Sequence, residues 1–388
     1  MRNCACVQGN ILEVVEMRKM LDYFKDMEDY RQAWKVKHPL VEIIVIIICA
    51  VVSGAENIAE IALWAKCKEP WLRTLLVLEN GLPSQDTIER FMRHMDPKEF
   101  KRSFLHWVRS IAKVTNGEIV PIDGKALRGS RDGENKAIYM VSAWARTNGV
   151  VLAQEKVADK SNEITAIPEL LKVLEIKGCI VTIDAMGCQK DIAEKIKGKG
   201  ADYVLALKGN QKSLFEDVRL FLDDCIADSF RGVSFDKHYE IGKGHGRIET
   251  RTYYITDDIS WLAEQDKWAG LRSVGVAVCT REINGVKTEQ RRYHICSIAP
   301  DAKKYAEAAR GHWSIENNLH WVLDVVMCED NARNRKDNSA ENMAVIRHLA
   351  MNLMSNDPSV KLSKKQMKKK LEWDHEYAMS LIFGDIQC

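Results

Sequence analysis

Apolar residues recur at helical spacing through roughly the first 112 positions. Val41–Val52 predicts a buried helix; its most apolar stretch, Ile43–Val52, is bounded by Glu42 and Ser53-Gly54. Glu56–Cys67 continues with Ile58, Ile61, Ala62 and Ala65 on one face, and Trp71–Leu78 is a shorter apolar segment. Asn80-Gly81-Leu82-Pro83 breaks the chain, after which Ser84 can cap a helix running to Met95. From Gly117 the period changes. Glu118–Ile122, Ile138–Arg146 and Val150–Val157 read as strands, and Asn148-Gly149 marks the hairpin between the last two. Helix Glu163–Leu174, strand Cys179–Ile183, helix Lys190–Lys197 and strand Tyr203–Leu207 follow, then helix Asn210–Asp223. Tyr239–Ile241, Glu249–Thr256, Ser273–Thr280 and Gln290–Ile298 return to strand, with a second hairpin signal at Asn284-Gly285. From Ala302 the helical period resumes in Ala306–Trp321 and Asp337–Met354.

A three-strand meander followed by alternating helix and strand predicts a mixed sheet of about five strands. That order matches an α/β ribonuclease-H-like core, in which the first and fourth strands are neighbours. The expected division is a helical N-terminal domain over 1–112 and a catalytic domain over 113–388, the latter holding a β-rich insertion at about 225–300 and a basic C-terminal tail. The helix, break and helix around 80–83 suit a helix-turn-helix presenting Gln85, Arg90, Arg93 and His94 to DNA, or equally a plain helical hairpin with solvated charges.

The chemistry-bearing pattern is a repeat. Glu118-Ile-Val-Pro-Ile-Asp-Gly-Lys125 and Cys179-Ile-Val-Thr-Ile-Asp-Ala-Met-Gly187 each run through apolar residues to one acid, Asp123 or Asp184, at the expected strand end. Two such carboxylates side by side are costly to bury without a cation, and hard divalent cations favour oxygen-ligand pairs. Each Asp could instead cap a turn. In the last helical block His312, Glu316 and His320 share a polar stripe beside an apolar face of Ile315, Leu319 and Val322. That packing favours Glu316 as a third carboxylate over Glu329 and Asp330, which read as a loop or a helix start; the alternative for Glu316 is a surface salt bridge. Two strand acids and one helix acid could hold two Mg2+ or Mn2+ ions and drive in-line phosphoryl transfer.

A net charge of +2 confines any nucleic-acid surface to local patches. Two stand out: the glycine-rich 242–251, a phosphate loop or a flexible hairpin tip, and 361–370 with six lysines. Eleven cysteines without a C-x-x-C pair suggest a reducing cytoplasm, and the apolar run of ten residues at 43–52 is too short to span a bilayer, so no membrane association is expected.

Taken in order, Pro-Ile-Asp-Gly-Lys125, Thr-Ile-Asp-Ala-Met-Gly187, Asp-Tyr-Val-Leu-Ala-Leu-Lys-Gly-Asn-Gln211, Gly-His-Gly-Arg-Ile-Glu-Thr-Arg251 and His-Trp-Ser-Ile-Glu-Asn-Asn-Leu-His-Trp321 resemble the H-repeat-associated proteins, bacterial insertion-sequence transposases of the DDE class. The resemblance covers roughly residues 20 to 380. It implies that Asp123, Asp184 and Glu316 bind the metal ions, that the β-rich block interrupts the catalytic fold, and that the chain cuts and joins double-stranded DNA at terminal inverted repeats and a target, as a homodimer on DNA. Candidate DNA contacts are Arg90, Arg93, Lys125, Lys208, His245, Arg247, His312, Trp313, Arg333 and Arg335. Many DDE transposases with a β insertion carry Tyr-x-x-Arg-x-x-x-Glu-x-x-x-x-x-x-Lys around the third acid; here Ala309, His312 and Leu323 stand at the Tyr, Arg and Lys positions, with Arg333, Arg335 or Lys336 as replacements. A nuclease of the same fold that only hydrolyses, or an inactive DNA-binding relic, would share these motifs. A metabolic α/β enzyme would need a glycine-rich cofactor fingerprint after the first strand, which is absent.

Overall fold

Residues 22–112, 114–133, 136–157, 163–244, 247–357 and 359–383 are described by the computed structural model. Helix α1 (Leu40–Val52) is buried at every position but Val41, as a helix apolar on all sides must be, and its one acid, Glu42, accepts from the Leu78 amide at 2.9 Å. Helices α2 (Ile58–Cys67), α3 (Glu69–Leu75), α4 (Gln85–His94) and α5 (Pro97–Ile111) follow. Their starts are written in the sequence: Asn57 accepts from the Glu60 amide at 3.0 Å, Ser84 from Thr87 at 3.2 Å and Asp96 from Lys98 at 2.9 Å, with Pro97 at the first helical position.

Nine strands form one sheet: β1 (Ile119–Leu127), β2 (Ile138–Ala145), β3 (Val150–Val157), β4 (Ile180–Ile183), β5 (Asp202–Leu207), β6 (Asp236–Gly244), β7 (Arg247–Thr256), β8 (Ser273–Ile283) and β9 (Val286–Cys296), in the order β3-β2-β1-β4-β5-β9-β8-β7-β6. β1, β4 and β5 are parallel neighbours and every other pair is antiparallel. Both predicted hairpin turns are present, with Gly149, Asn284 and Gly285 at positive φ. Two expectations are corrected. The sheet has nine strands rather than about five, because the β-rich block is not set apart from the core: β9 pairs with β5 from Val204↔Cys296 to Leu207↔Tyr293. Without that pairing β5 would present an open edge. Nor does β1 end at Asp123. It stays paired with β2 as far as Leu127↔Ile138, and Gly124 is a strand residue, not a turn.

Helix α6 (Glu163–Val173), α7 (Lys190–Gly198) and α8 (Lys212–Ala227) connect the strands. Helix α9 (Ala302–Gly311) runs on through Trp313–Ile315 into two π-wound segments, Glu316–His320 and Val322–Val326. Helix α10 (Ser339–Asn356) is buried nearly throughout and packs against α1, α4, α5 and β3. Its buried polar side chains are used: Asn342 donates to the Met92 and Met95 carbonyls, and Asn352 exchanges two hydrogen bonds with the backbone of Val151, as a neighbouring strand would. The expected basic tail is instead helix α11 (Lys364–Trp373), which buries Met367 and Leu371 and pairs Lys368 with Glu56, Lys369 with Glu372 and Lys370 with Asp374; α12 (His375–Phe383) follows. No helix among the described residues is long and apolar enough to cross a membrane.

Candidate active site

The parallel register of β1 and β4 pairs Ile122 with Ile183, so the next residue on each chain is an aspartate and the two acids stand at one height. β4 stops there. Asp184 turns the chain: one carboxylate oxygen accepts from the Met186 amide at 3.0 Å and the Gly187 amide at 3.4 Å, capping the short turn Ala185–Gly187. That loop is clamped by Asn210, which donates to the Ala185 carbonyl, and Gln211, which donates to the Cys188 carbonyl at 3.0 Å. The turn-capping reading of Asp184 is therefore correct for one oxygen and leaves the other for chemistry. Asp123 lies on the continuing strand. Burial pushes its carboxyl up to about 7 against the pull of the Gly124 amide, and the negative charges of Asp184, Glu316 and Glu163 push the same way as burial.

Glu316 is carried on the helix that crosses both strands. Ile315 and Leu319 are wholly buried and Val322 nearly so, which anchors the predicted apolar face. On the polar stripe, the His312 ring meets the Thr182 hydroxyl on β4 at 3.2 Å, and His320 Nδ1 lies 3.5 Å from Asp123 on β1. Glu316 sits between them. Burial, with Lys125 second, pushes His320 down to about 3, so it faces Asp123 as a neutral ring and does not offset its charge. π-winding opens the helix where Glu316 begins, a form that is rare and concentrated at functional sites.

Glu163 is the acid that sequence reasoning missed. It begins α6, is buried, and rests against Gly124, where any Cβ would collide with its carboxyl. The glycine after Asp123 thus makes room for a fourth carboxylate. In the sequence an acid at a helix start reads only as a dipole complement. Because Asp123 titrates high in the fold, its contribution to stability is full below the ordinary carboxyl value of about 3.9 and is lost as pH rises toward about 7. In Glu163→Gln one of the charges causing that rise is gone, so the loss of melting temperature between pH 4 and 8 is expected to shrink. An unchanged melting profile across that range would show that Glu163 does not act on Asp123.

Lys125, two residues on from Asp123, is buried and not open to DNA as expected. Its ammonium lies 2.6 Å from Asp324, 2.8 Å from Glu329 and 3.7 Å from Asp330. Burial alone would push the Glu329 carboxyl up, but Lys125, Arg347 and His348 hold it below the usual range. Glu329 begins a short 3-10 helix, one of the two readings its sequence allowed, and is the centre of a buried charge network. The remaining DNA candidates divide. Arg90, Lys208 and Arg333 are exposed. Arg93 pairs with Asp337 at 2.8 Å, and Arg335 reaches the Gly129 carbonyl at 3.3 Å and Asp132 at 3.6 Å. His312 is half-buried, and Trp313 is 39% exposed. His245 lies outside the described residues, and Arg247 is described only as the first residue of β7.

Among the described residues, no three His, Cys, Asp or Glu side chains are gathered tightly enough to hold a metal ion as they stand. The donor set still fits a hard dication. Half-buried Asp123 lies within the field of three further carboxylates, and oxygen donors of this kind suit a hard dication.

Residues 115–353 match the family described as "Transposase DDE domain", and residues 21–108 the one described as "DDE_Tnp_1-associated". "Putative transposase YncI" of Escherichia coli O157:H7 is 42% identical over 92% of this chain and 92% of its own length. "H repeat-associated putative transposase YhhI" of Escherichia coli (strain K12) is 39% identical over 95% of this chain and 99% of its own. A solved piggyBac transposase synaptic complex with hairpin DNA aligns at a TM-score of 0.41 and 12% identity over 97% of this chain and 82% of that one, too weak a likeness to bear on the fold.

Proposed function

The chain belongs to the DDE-domain transposases, and on that premise we propose that it cuts and joins DNA by phosphoryl transfer at Asp123, Asp184 and Glu316. One observation carries the site: two aspartates aligned in register on parallel β1 and β4, with the Glu316 helix laid across both strands through His312 and His320. The strand order β3-β2-β1-β4-β5 is read as a ribonuclease-H-like core, extended by β9-β8-β7-β6 and faced by the helical segment 22–112. Double-stranded DNA ends and a target are the substrates, and two copies of the chain would serve two ends.

Asp123, Asp184 and Glu316 would hold one or two Mg2+ or Mn2+ ions, with Glu163 behind Asp123. Such ions activate an attacking oxygen and stabilise the leaving one. The protein's own part is positioning. The Asp184 cap and the Asn210 and Gln211 clamps fix one acid, strand pairing fixes the second, and Ile315, Leu319 and Val322 set the height of the third. Neutral His312 and His320 line the site without competing for the carboxylates.

Cleavage of a duplex bearing the gene's flanking repeats is expected with Mg2+ or Mn2+, whereas Ca2+ should support binding with little turnover, because it coordinates loosely and activates oxygen poorly. Undiminished cleavage in excess chelator would overturn the reading. Joined products in the same assay separate a transposase from an enzyme that only hydrolyses.

A further inference from the structure

The face of β6–β9 beside the site is rich in arginine, and one member differs from the rest. Arg251 and Arg281 both pair with Glu249, and Arg310, from α9, pairs with Glu240 at 3.2 Å. Arg292 on β9 has no carboxylate partner among the described residues; its guanidinium meets only the Gln290 side-chain oxygen, at 3.4 Å. It is half-buried, and it lies over the indole of Trp313 at 4.3 Å. Trp313 is three residues before Glu316 and is 39% exposed. Glu316 is near enough to act on the Arg292 charge without pairing with it.

A cation held out of full solvent without a counter-ion leaves charge to be satisfied by something that arrives. Stacking on an indole fixes the plane of a guanidinium and leaves its N–H edge free for an oxyanion, a geometry suited to phosphate. The uncovered part of the indole offers an apolar face that any base or sugar can use. Both groups border the acid site, where the reacting phosphodiester would lie.

We propose that Arg292 and Trp313 form a strand clamp: Arg292 binds a backbone phosphate next to the one that reacts, and Trp313 packs against the adjoining nucleoside. The occupant is a DNA strand. The inference rests on the function proposed above, but its test does not depend on turnover. His312 does not take this part, since its ring is turned to the Thr182 hydroxyl at 3.2 Å.

The test is binding of a mixed-sequence DNA duplex by the full chain in Ca2+, over a range of salt. Losing one phosphate contact should lower the slope of log affinity against log salt by about one. For Arg292→Gln we expect affinity about tenfold weaker at low salt with that smaller slope. Arg292→Lys, which keeps the charge but loses the stacked fork, should restore the slope while staying weaker than wild type. Trp313→Ala removes a half-exposed ring, so it is expected to fold, and to bind about fivefold more weakly with an unchanged slope. Melting curves accompany each variant; should Arg292→Gln fail to fold, Arg292→Lys and Trp313→Ala decide. Wild-type affinity in folded Arg292→Gln, or in both other variants, overturns the clamp. A wild-type chain that neither binds nor cuts DNA overturns the proposed function instead, so the two failures are distinguishable.

Discussion

The Asp123→Asn chain is expected to lose DNA cleavage by at least about a hundredfold while melting higher than wild type at pH 8. The two effects share one cause. Asp123 is charged at pH 8 in a buried place that faces Asp184, Glu316 and Glu163, and this is what lifts its carboxyl to about 7. A group raised in the fold stabilises it only while protonated, so at pH 8 the ionised form is a burden that Asn removes. The gain should fade toward pH 4, where wild-type Asp123 is itself neutral. Asp184→Asn should also lose cleavage. Asn is as good a cap as Asp for the Met186 and Gly187 amides, and one of the charges that raise Asp123 is gone, so its melting temperature at pH 8 should rise, by less than that of Asp123→Asn. Melting and cleavage measured on the same samples at pH 5 and pH 8 check both. Near-native cleavage in either variant would remove that residue from the site.

Glu316→Gln and Glu329→Gln should fail in opposite ways. Glu316→Gln is expected to melt no lower than wild type, since Ile315, Leu319 and Val322 hold its helix and one of the charges that raise Asp123 is gone, and to lose cleavage as completely as Asp123→Asn. Glu329→Gln takes the charge from between Lys125 and Arg347, both buried, and leaves them facing each other's field. Breaking a buried ion pair costs about 3 to 5 kcal/mol, which should show as a clear drop in melting temperature. Cleavage measured well below both melting temperatures should then survive in Glu329→Gln. If Glu316→Gln cuts DNA while a fully folded Glu329→Gln does not, the third carboxylate belongs to Glu329.

What could be read from the chain was local. The Ile-Asp repeat marked β1 and β4, Asn148-Gly149 and Asn284-Gly285 marked the β2–β3 and β8–β9 hairpins, and Ser84 marked the start of α4. Each depends on residues within a few positions of one another. The parts that were not read depend on pairing across the chain. Nothing near Leu207 announces that its strand neighbour is Tyr293. Lys125 looked like a free cation because its partners, Asp324 and Glu329, lie about 200 residues on. Glu163 looked like an ordinary helix-start acid until the glycine beside Asp123 was seen to shelter it. The same limit explains Arg292, whose role is invisible until β9 is laid against the helix of Trp313. The π-winding at Glu316 has no pattern of its own, because its apolar residues also satisfy an ordinary helix over three turns.

The pairing of β5 with β9 also sets a timetable for synthesis. A ribosome adding about 5 to 20 residues per second needs about 4 to 18 seconds to travel from the end of β5 at Leu207 to the end of β9 at Cys296. Through that interval the nascent sheet carries an unpaired parallel strand at its rim, ready to be extended by a neighbouring chain. The third acid emerges later still, and the buried partners of Lys125 after it. A message broken between Leu207 and the start of β9 therefore yields a fragment that carries Asp123 and Asp184 without Glu316 and keeps the β5 edge open.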